Sequence, residues 1–102
     1  MDPNAHVPLV AGPAYIERIQ RLPSKFAATL KREPDNRFDL TAVAVYAAGE
    51  KIGYLPPELS GHYFGAIAAE GVECQGRRAP LSARENTGVE VLLDLNGVPC
   101  EA

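Results

Sequence analysis

A polar cluster of the pattern Asn-x-Phe-Asp, at residues 36–39, contains the side chains best suited to binding chemistry. The Asn36 amide can both donate and accept hydrogen bonds, whereas the Asp39 carboxylate only accepts them. Together they can hold a hydroxyl group, which would donate to Asp39 and accept from Asn36. The cluster directly precedes an apolar strand that would hold it rigid, and rigid polar loops are frequent binding sites.

The same residues also have structural interpretations. Asn36 and Asp39 are common turn residues, whose side chains satisfy neighbouring backbone groups. Phe38 could close a hydrophobic core, and Tyr54, further along the chain, could pack against Tyr46. The residues taken alone leave both interpretations open.

Catalytic and cofactor sites have no recognisable pattern in this chain. No serine lies in a nucleophile elbow, neither histidine fits a triad order, and no glycine-rich phosphate loop is present. Asp35 and Asp39 could form a carboxylate pair, but a glycosidase needs a sugar cleft, for which this chain is short. The histidines and cysteines lack the paired spacing of metal ligands: His6, His62, Cys74 and Cys100. We therefore predict no enzyme activity, no metal, no cofactor and two free thiols.

Short apolar stretches around the cluster predict six strands. They lie at residues 7–11, 25–33, 41–46, 51–55, 72–81 and 89–95. The third and fourth strands form a hairpin with its turn at residues 48–50. Strict alternation along that hairpin places Ile52 and Tyr54 on one face.

Two prolines mark the starts of two short helices, because proline is favoured in the first turn. The first helix begins at Pro13 and has an apolar face at Tyr15, Ile19 and Leu22. The second begins at residues 56–57 and predicts a buried stripe of Leu59, Tyr63 and Ile67 with Gly71 as C-cap.

A length of 102 residues with 46% hydrophobic residues predicts one domain over residues 1–102. Its core spans about residues 7–96, and residues 97–102 are expected to be a disordered tail. Short strands, short loops and a central hairpin predict a mostly β fold. We expect a small six-stranded antiparallel barrel, OB- or SH3-like, with two short helices.

The charge is unevenly distributed over the chain. The net charge of −3 argues against a general nucleic-acid coat protein, but basic residues concentrate between residues 15 and 51. No secretory signal is recognisable, and the apolar runs are too short to span a bilayer. We therefore expect an intracellular, cytoplasmic protein without membrane contact, nucleoid-associated if it is bacterial.

The segment from residue 30 to residue 60 resembles the HIRAN domain. The resemblance is carried by REPDNRFD at residues 32–39, AVAV at residues 42–45 and IGYLPPEL at residues 52–59. These motifs follow one another in the order of the family pattern and cover about a third of the chain.

The resemblance implies a barrel that binds single-stranded DNA at a free 3′ end. In the family, the Asn and the Asp of the motif contact the terminal 3′-hydroxyl, and these roles fall here on Asn36 and Asp39. Aromatic residues flank the last bases, and the matching positions are Tyr15, Phe38 and Tyr54. A 3′-phosphate would bring a like charge against Asp39, so the pocket would reject internal nucleotides.

Basic residues beside the cluster could hold the neighbouring phosphates: Lys31, Arg32 and Arg37. The chain departs from the family pattern at three positions that often carry Arg, Asn and a basic residue. They are Ala14, Thr41 and Pro57. The resemblance therefore implies the family fold with fewer polar contacts to the ligand.

The resemblance also implies a role in DNA repair or replication-fork processing, beside a separately encoded helicase or nuclease. The chain itself has no ATPase motif. An alternative from another class is a protein-interaction or accessory barrel that keeps the fold, with its DNA binding weakened or lost.

Overall fold

Eight short elements follow one another along the described part of the chain. The computed structural model describes residues 7–11, 13–80 and 89–99. The elements in chain order are β1 (Val7–Pro8), α1 (Pro13–Gln20), β2 (Lys25–Arg32), β3 (Val43–Ala47), β4 (Glu50–Tyr54), α2 (Pro57–Phe64), β5 (Val72–Pro80) and β6 (Val89–Asp94). The number and order of strands and helices agree with the sequence prediction.

The strands form one sheet in the order β1-β6-β5-β2-β3-β4, and every neighbouring pair is antiparallel. The sheet curls until its two edges meet. There Val10, just after β1, exchanges two backbone hydrogen bonds of 2.9 Å with Tyr54 at the end of β4. We call this junction the seam. The predicted mostly β barrel with two helices is confirmed as a curled half-barrel.

The core lies inside the curl, and alternation along the strands fills it. Leu30 of β2 is fully buried, whereas the next residue, Lys31, is exposed. Val43 and Val45 of β3 point into the same core and are also fully buried. Ile19 of α1 is buried, and its helix packs against β4. Removing such apolar side chains from water is the main stabilising contribution to a domain of this size.

A β-bulge in β4 changes the face on which its last residue lies. Tyr54 pairs with Ala44, but Lys51 pairs with Tyr46, so β4 has one residue more than β3 over this stretch. The prediction that Ile52 and Tyr54 share a face is therefore wrong. Ile52 is fully buried, whereas the Tyr54 hydroxyl lies 3.0 Å from Lys51 Nζ.

The second helix is shorter than predicted. α2 ends at Phe64 with Gly65 as its C-cap, and the chain then turns so that Ile67 enters the core. Gly71, the predicted cap, instead leads into β5 with φ +101°. A Cβ at Gly71 would lie 2.9 Å from Thr29 Cγ2, so close approach to β2 is a second reason for glycine there.

The two ends of the chain also differ from expectation. β1 stops at Pro8, which lacks a backbone donor, and Val10 pairs with β4 across the seam. Val98, assigned to a disordered tail by the sequence, is buried in the core. Cys74 is a buried free thiol whose pKa is raised to about 11 by burial and by the nearby Asp94 carboxylate. Residues 100–102, including the second cysteine, lie outside the described residues, as does the predicted end of the fifth strand at residue 81.

Candidate functional site

A shallow cavity of about 180 Å³ opens beside the seam. Four of the five predicted binding residues line it, namely Asn36, Phe38, Asp39 and Tyr54. The other lining residues are mostly apolar: Val10, Ala42, Leu55 and Pro57. The loop after β2, the end of β4 and the start of α2 therefore converge on one pocket.

Asn36 organises the loop with both ends of its amide. Its Oδ1 accepts hydrogen bonds from the backbone N–H of Phe38 at 2.8 Å and of Asp39 at 3.0 Å. Its Nδ2 donates to Glu33 Oε1 at 2.9 Å. Both lone pairs of Oδ1 are occupied, and one N–H of the amide has no partner among the described residues.

Asp39 is held by Thr41 of its own loop and by Ser60 of α2. Its Oδ1 accepts from the backbone N–H and from the hydroxyl of Thr41, both at 2.9 Å. Its Oδ2 lies 3.4 Å from the Ser60 hydroxyl. That hydroxyl is also 3.3 Å from the Pro57 carbonyl, so its one proton serves two acceptors. Oδ1 is therefore filled, and Oδ2 keeps acceptor capacity.

The turn interpretation and the binding interpretation both describe this loop. Asn36 and Asp39 do satisfy backbone groups, as typical turn residues do. The same bonds fix their orientation. Among the described residues they leave one N–H of Asn36 without a partner and acceptor capacity on one oxygen of Asp39. The loop is thus a preorganised pair of one donor and one acceptor.

Phe38 projects away from the core. Its side chain is 98% exposed, so the possibility that it closes the barrel is wrong. Leu40, on the other side of Asp39, is 71% exposed. Two large apolar side chains exposed so close together mark a candidate contact surface for a ligand or a partner.

Tyr54 belongs to a polar cluster with Glu33 and Lys51. Its hydroxyl donates to Glu33 Oε1 at 2.8 Å, and Lys51 Nζ donates to Glu33 Oε2 at 2.7 Å. Glu33 also receives the Asn36 amide, so one carboxylate positions two residues of the pocket. The possible packing of Tyr54 against Tyr46 is therefore not its main contact.

The ionisation of this cluster follows from its contacts. Burial alone would raise the pKa of Glu33, but hydrogen bonds from Lys51, Asn36 and Tyr54 outweigh it and lower the pKa. The bond to Glu33, followed by that to Tyr54, raises the pKa of Lys51. Burial, together with donation to Glu33, raises the pKa of Tyr54. At neutral pH the cluster is therefore a carboxylate, an ammonium and a neutral phenol.

We expect Glu33→Gln to lower the free energy of unfolding by about 1–2 kcal/mol at pH 7, because a charge-assisted pair one quarter exposed is lost. Because folding lowers the pKa of Glu33, its contribution to stability is fully present above pH 4.5, the ordinary pKa of the group. The contribution is lost as the pH falls through the lower pKa of the folded state. Urea unfolding should therefore show a difference in the free energy of unfolding between the wild type and Glu33→Gln at pH 7, and this difference should disappear at acidic pH. Glu73→Gln, at an exposed position, is the control. A stability difference that does not change with pH would contradict the ionised state assigned to the Glu33 carboxyl.

Tyr15 lies apart from the other predicted residues. It is half-buried against the core and does not line the pocket. The Arg18 guanidinium stands 5.7 Å from the centroid of its ring. The sequence pattern placed Tyr15 correctly on a helix face, and the structure shows that this face packs on the barrel.

The predicted phosphate contacts are distributed over different faces. Lys31 Nζ lies over the Tyr46 ring at 5.2 Å, and the Arg32 guanidinium lies over the Phe64 ring at 5.7 Å. Arg37 is exposed in the loop. None of the three forms an ion pair with a carboxylate of the described residues. Their charges are therefore not neutralised by that part of the chain.

Sequence reasoning missed the residues that hold the site together. Glu33 and Lys51 are eighteen positions apart, and no local motif signals their pairing. Ser60 is fully buried in α2. Thr41 was noted in the sequence only as a departure from the family pattern. The one available signal for Ser60 was a small polar residue on the apolar stripe of a predicted helix.

A curled half-barrel of six antiparallel strands, with a shallow pocket beside its seam, defines a small mostly β domain. The family model of the HIRAN domain matches residues 7–96 of the 102-residue chain, and the chain belongs to this family. No curated protein and no solved structure matches the chain. The family match is consistent with a nucleic-acid-binding module. Within the described part of the chain, no helix is long and apolar enough to cross a membrane.

Proposed function

We propose that this domain binds single-stranded DNA at its free 3′-hydroxyl end and catalyses no reaction itself. The observation that carries the proposal is the remaining hydrogen-bonding capacity of the pocket. Asn36 has one N–H left, and Asp39 has an acceptor left on Oδ2. Both residues line the same pocket, and one donor with one acceptor is the complement of a single hydroxyl group, which donates once and accepts.

Charge explains why an end would be preferred over an internal nucleotide. Within a continuous strand the 3′-oxygen carries a phosphate, which has no proton to donate and brings a negative charge towards Asp39. Only apolar groups and Tyr54 complete the pocket. None of the residues that line the pocket is a cation. The Lys51 ammonium, which contacts the Tyr54 hydroxyl, is already paired with Glu33 and so is not free to compensate that phosphate.

The surroundings suit the rest of a terminal nucleotide. Phe38 stands exposed at the rim and can stack on a base of any type. Arg37 is in the same loop and can attract a neighbouring phosphate, whereas Arg32 and Lys31 lie at the end of β2 on different faces and add positive charge nearby. In this proposal Tyr15 supports the fold by packing on the core, and Tyr54 forms part of the pocket wall.

The test is a set of titrations, measured by fluorescence anisotropy, of three 5′-labelled oligonucleotides that share one sequence and differ only in the 3′ end. We expect the 3′-hydroxyl end to bind best, a 3′-deoxy end to bind more weakly and a 3′-phosphate end to bind worst. Raising the salt concentration should weaken all three with a shallow slope, because few phosphates are contacted. Equal affinity for the hydroxyl and phosphate ends would refute end recognition.

We expect Phe38→Ala to lower the affinity for the 3′-hydroxyl strand about tenfold, through the loss of one stacked base. Stability should not fall, because the side chain buries almost nothing in the free protein. Leu40→Ala is the matched control, since it removes a neighbouring exposed apolar side chain that does not line the pocket. Equal losses of affinity in both variants would indicate non-specific hydrophobic contact by the loop rather than stacking on Phe38.

The biological setting follows from this binding mode. A module that reads 3′ ends would serve DNA repair or replication-fork processing, where a helicase or nuclease must be directed to an end. The alternative is a protein-interaction barrel, favoured by the exposed pair Phe38 and Leu40. Absence of DNA binding at low salt, together with capture of a partner that Leu40→Asn abolishes, would favour the alternative.

A further inference from the structure

We propose that Thr41 makes this pocket select a deoxyribose 3′ end over a ribose 3′ end. The inference rests on the proposed function and adds a specificity to it. A ribose end presents two adjacent hydroxyls, and a carboxylate with both oxygens free can accept from such a pair, one hydroxyl on each oxygen. In this protein Asp39 does not have both oxygens free.

Thr41 occupies one oxygen of Asp39 completely. Its backbone N–H and its hydroxyl both donate to Oδ1 at 2.9 Å, and a carboxylate oxygen offers about two lone-pair positions. Oδ2, by contrast, has only the shared proton of Ser60 at 3.4 Å. Asp39 can therefore take one further hydroxyl through Oδ2 and none through Oδ1.

No other group of the pocket is placed to accept a second hydroxyl without cost. Asn36 Oδ1 already accepts two backbone N–H groups. The Tyr54 hydroxyl donates to Glu33 and accepts from Lys51. The remaining side chains of the lining are apolar, and the carbonyl of Pro57 already faces the Ser60 hydroxyl. A 2′-hydroxyl in this pocket would give up its bonds to water and gain no matched partner.

The experiment uses the full chain and three oligonucleotides of one sequence. They end in a deoxynucleotide, in a single ribonucleotide and in a deoxynucleotide 3′-phosphate, so that only the last sugar differs between the first two. We expect the wild-type protein to bind the ribonucleotide end at least about fivefold more weakly than the deoxynucleotide end.

Two substitutions at Thr41 separate its hydroxyl from its shape. Thr41→Val keeps the branched side chain and the backbone donor but frees one lone pair of Oδ1, so the difference between the two sugars should shrink to less than about twofold. Thr41→Ser keeps the hydroxyl and should retain the wild-type difference. Thermal unfolding of both variants shows whether each is folded, which is expected because Thr41 is exposed.

The results distinguish this inference from the proposed function. Equal binding of hydroxyl and phosphate ends overturns end recognition, and the selectivity of Thr41 with it. Preserved discrimination against the phosphate, with the ribonucleotide end bound as well as or better than the deoxynucleotide end, overturns only the role of Thr41. An unchanged sugar preference in Thr41→Val does the same.

Discussion

Replacing Asp39 with Asn should lower the affinity for a 3′-hydroxyl strand by about 10- to 100-fold, because a hydrogen bond to a charged acceptor is lost. The same change removes the charge that opposes a 3′-phosphate. The preference for the hydroxyl end should therefore nearly vanish. Asn retains an oxygen that can accept from Thr41, so the loop keeps its main support. Anisotropy titrations with both ends measure the affinity and the preference together.

The control for charge is Asp35→Asn. Asp35 is an exposed carboxylate in the same loop and does not line the pocket. It should change affinity only slightly and leave the preference for the hydroxyl end intact. If both variants changed the preference equally, the general charge of the loop would be responsible, and the specific role of Asp39 would be refuted.

Replacing Gly53 with Ala should lower the free energy of unfolding by about 3 kcal/mol, because a Cβ has no room there. An ideal Cβ would lie 2.6 Å from the Val10 carbonyl oxygen and 2.9 Å from Leu9 Cγ. The first of these is backbone, which cannot move aside without separating the edges of the sheet. Urea unfolding measures the loss, and binding should weaken as well because the pocket adjoins this contact.

Gly49→Ala is the matched control in the same hairpin. Gly49 has φ +80°, but a Cβ there would meet nothing within 4 Å. Its cost should be limited to the backbone strain of an L-residue, about 1 kcal/mol. A Gly53→Ala variant no less stable than Gly49→Ala would show that the seam accommodates a side chain.

Much of the fold was predictable because local patterns determine it. The alternation around Val43 and Val45, the glycine turn at residue 49 and the prolines that start the helices are all short-range signals. Antiparallel neighbours joined by short loops then favour a small barrel. The Asn-x-Phe-Asp cluster was found for the same reason, since the bonds that shape its loop span no more than three residues.

The features that escaped prediction depend on distant parts of the chain. The extra residue at Ile52 changes the face of Tyr54, and alternation alone cannot reveal a bulge. Glu33 meets Lys51 only once three strands are paired. Val98 follows β6 in a turn closed by its N–H on the Leu95 carbonyl and is buried in the core, although the composition of the last residues resembles a frayed end.

The seam has a thermodynamic consequence. Two backbone hydrogen bonds join the edges of the sheet, and both Val10 and Tyr54 also line the pocket. A ligand that fills the pocket would contact both edges. If it bound the closed form more tightly than the open form, the difference in binding free energy would stabilise closure. Amide hydrogen exchange at Val10 and Tyr54 would then slow in proportion to the fraction of protein with ligand bound. Exchange at the seam would thus report both closure of the sheet and occupancy of the pocket.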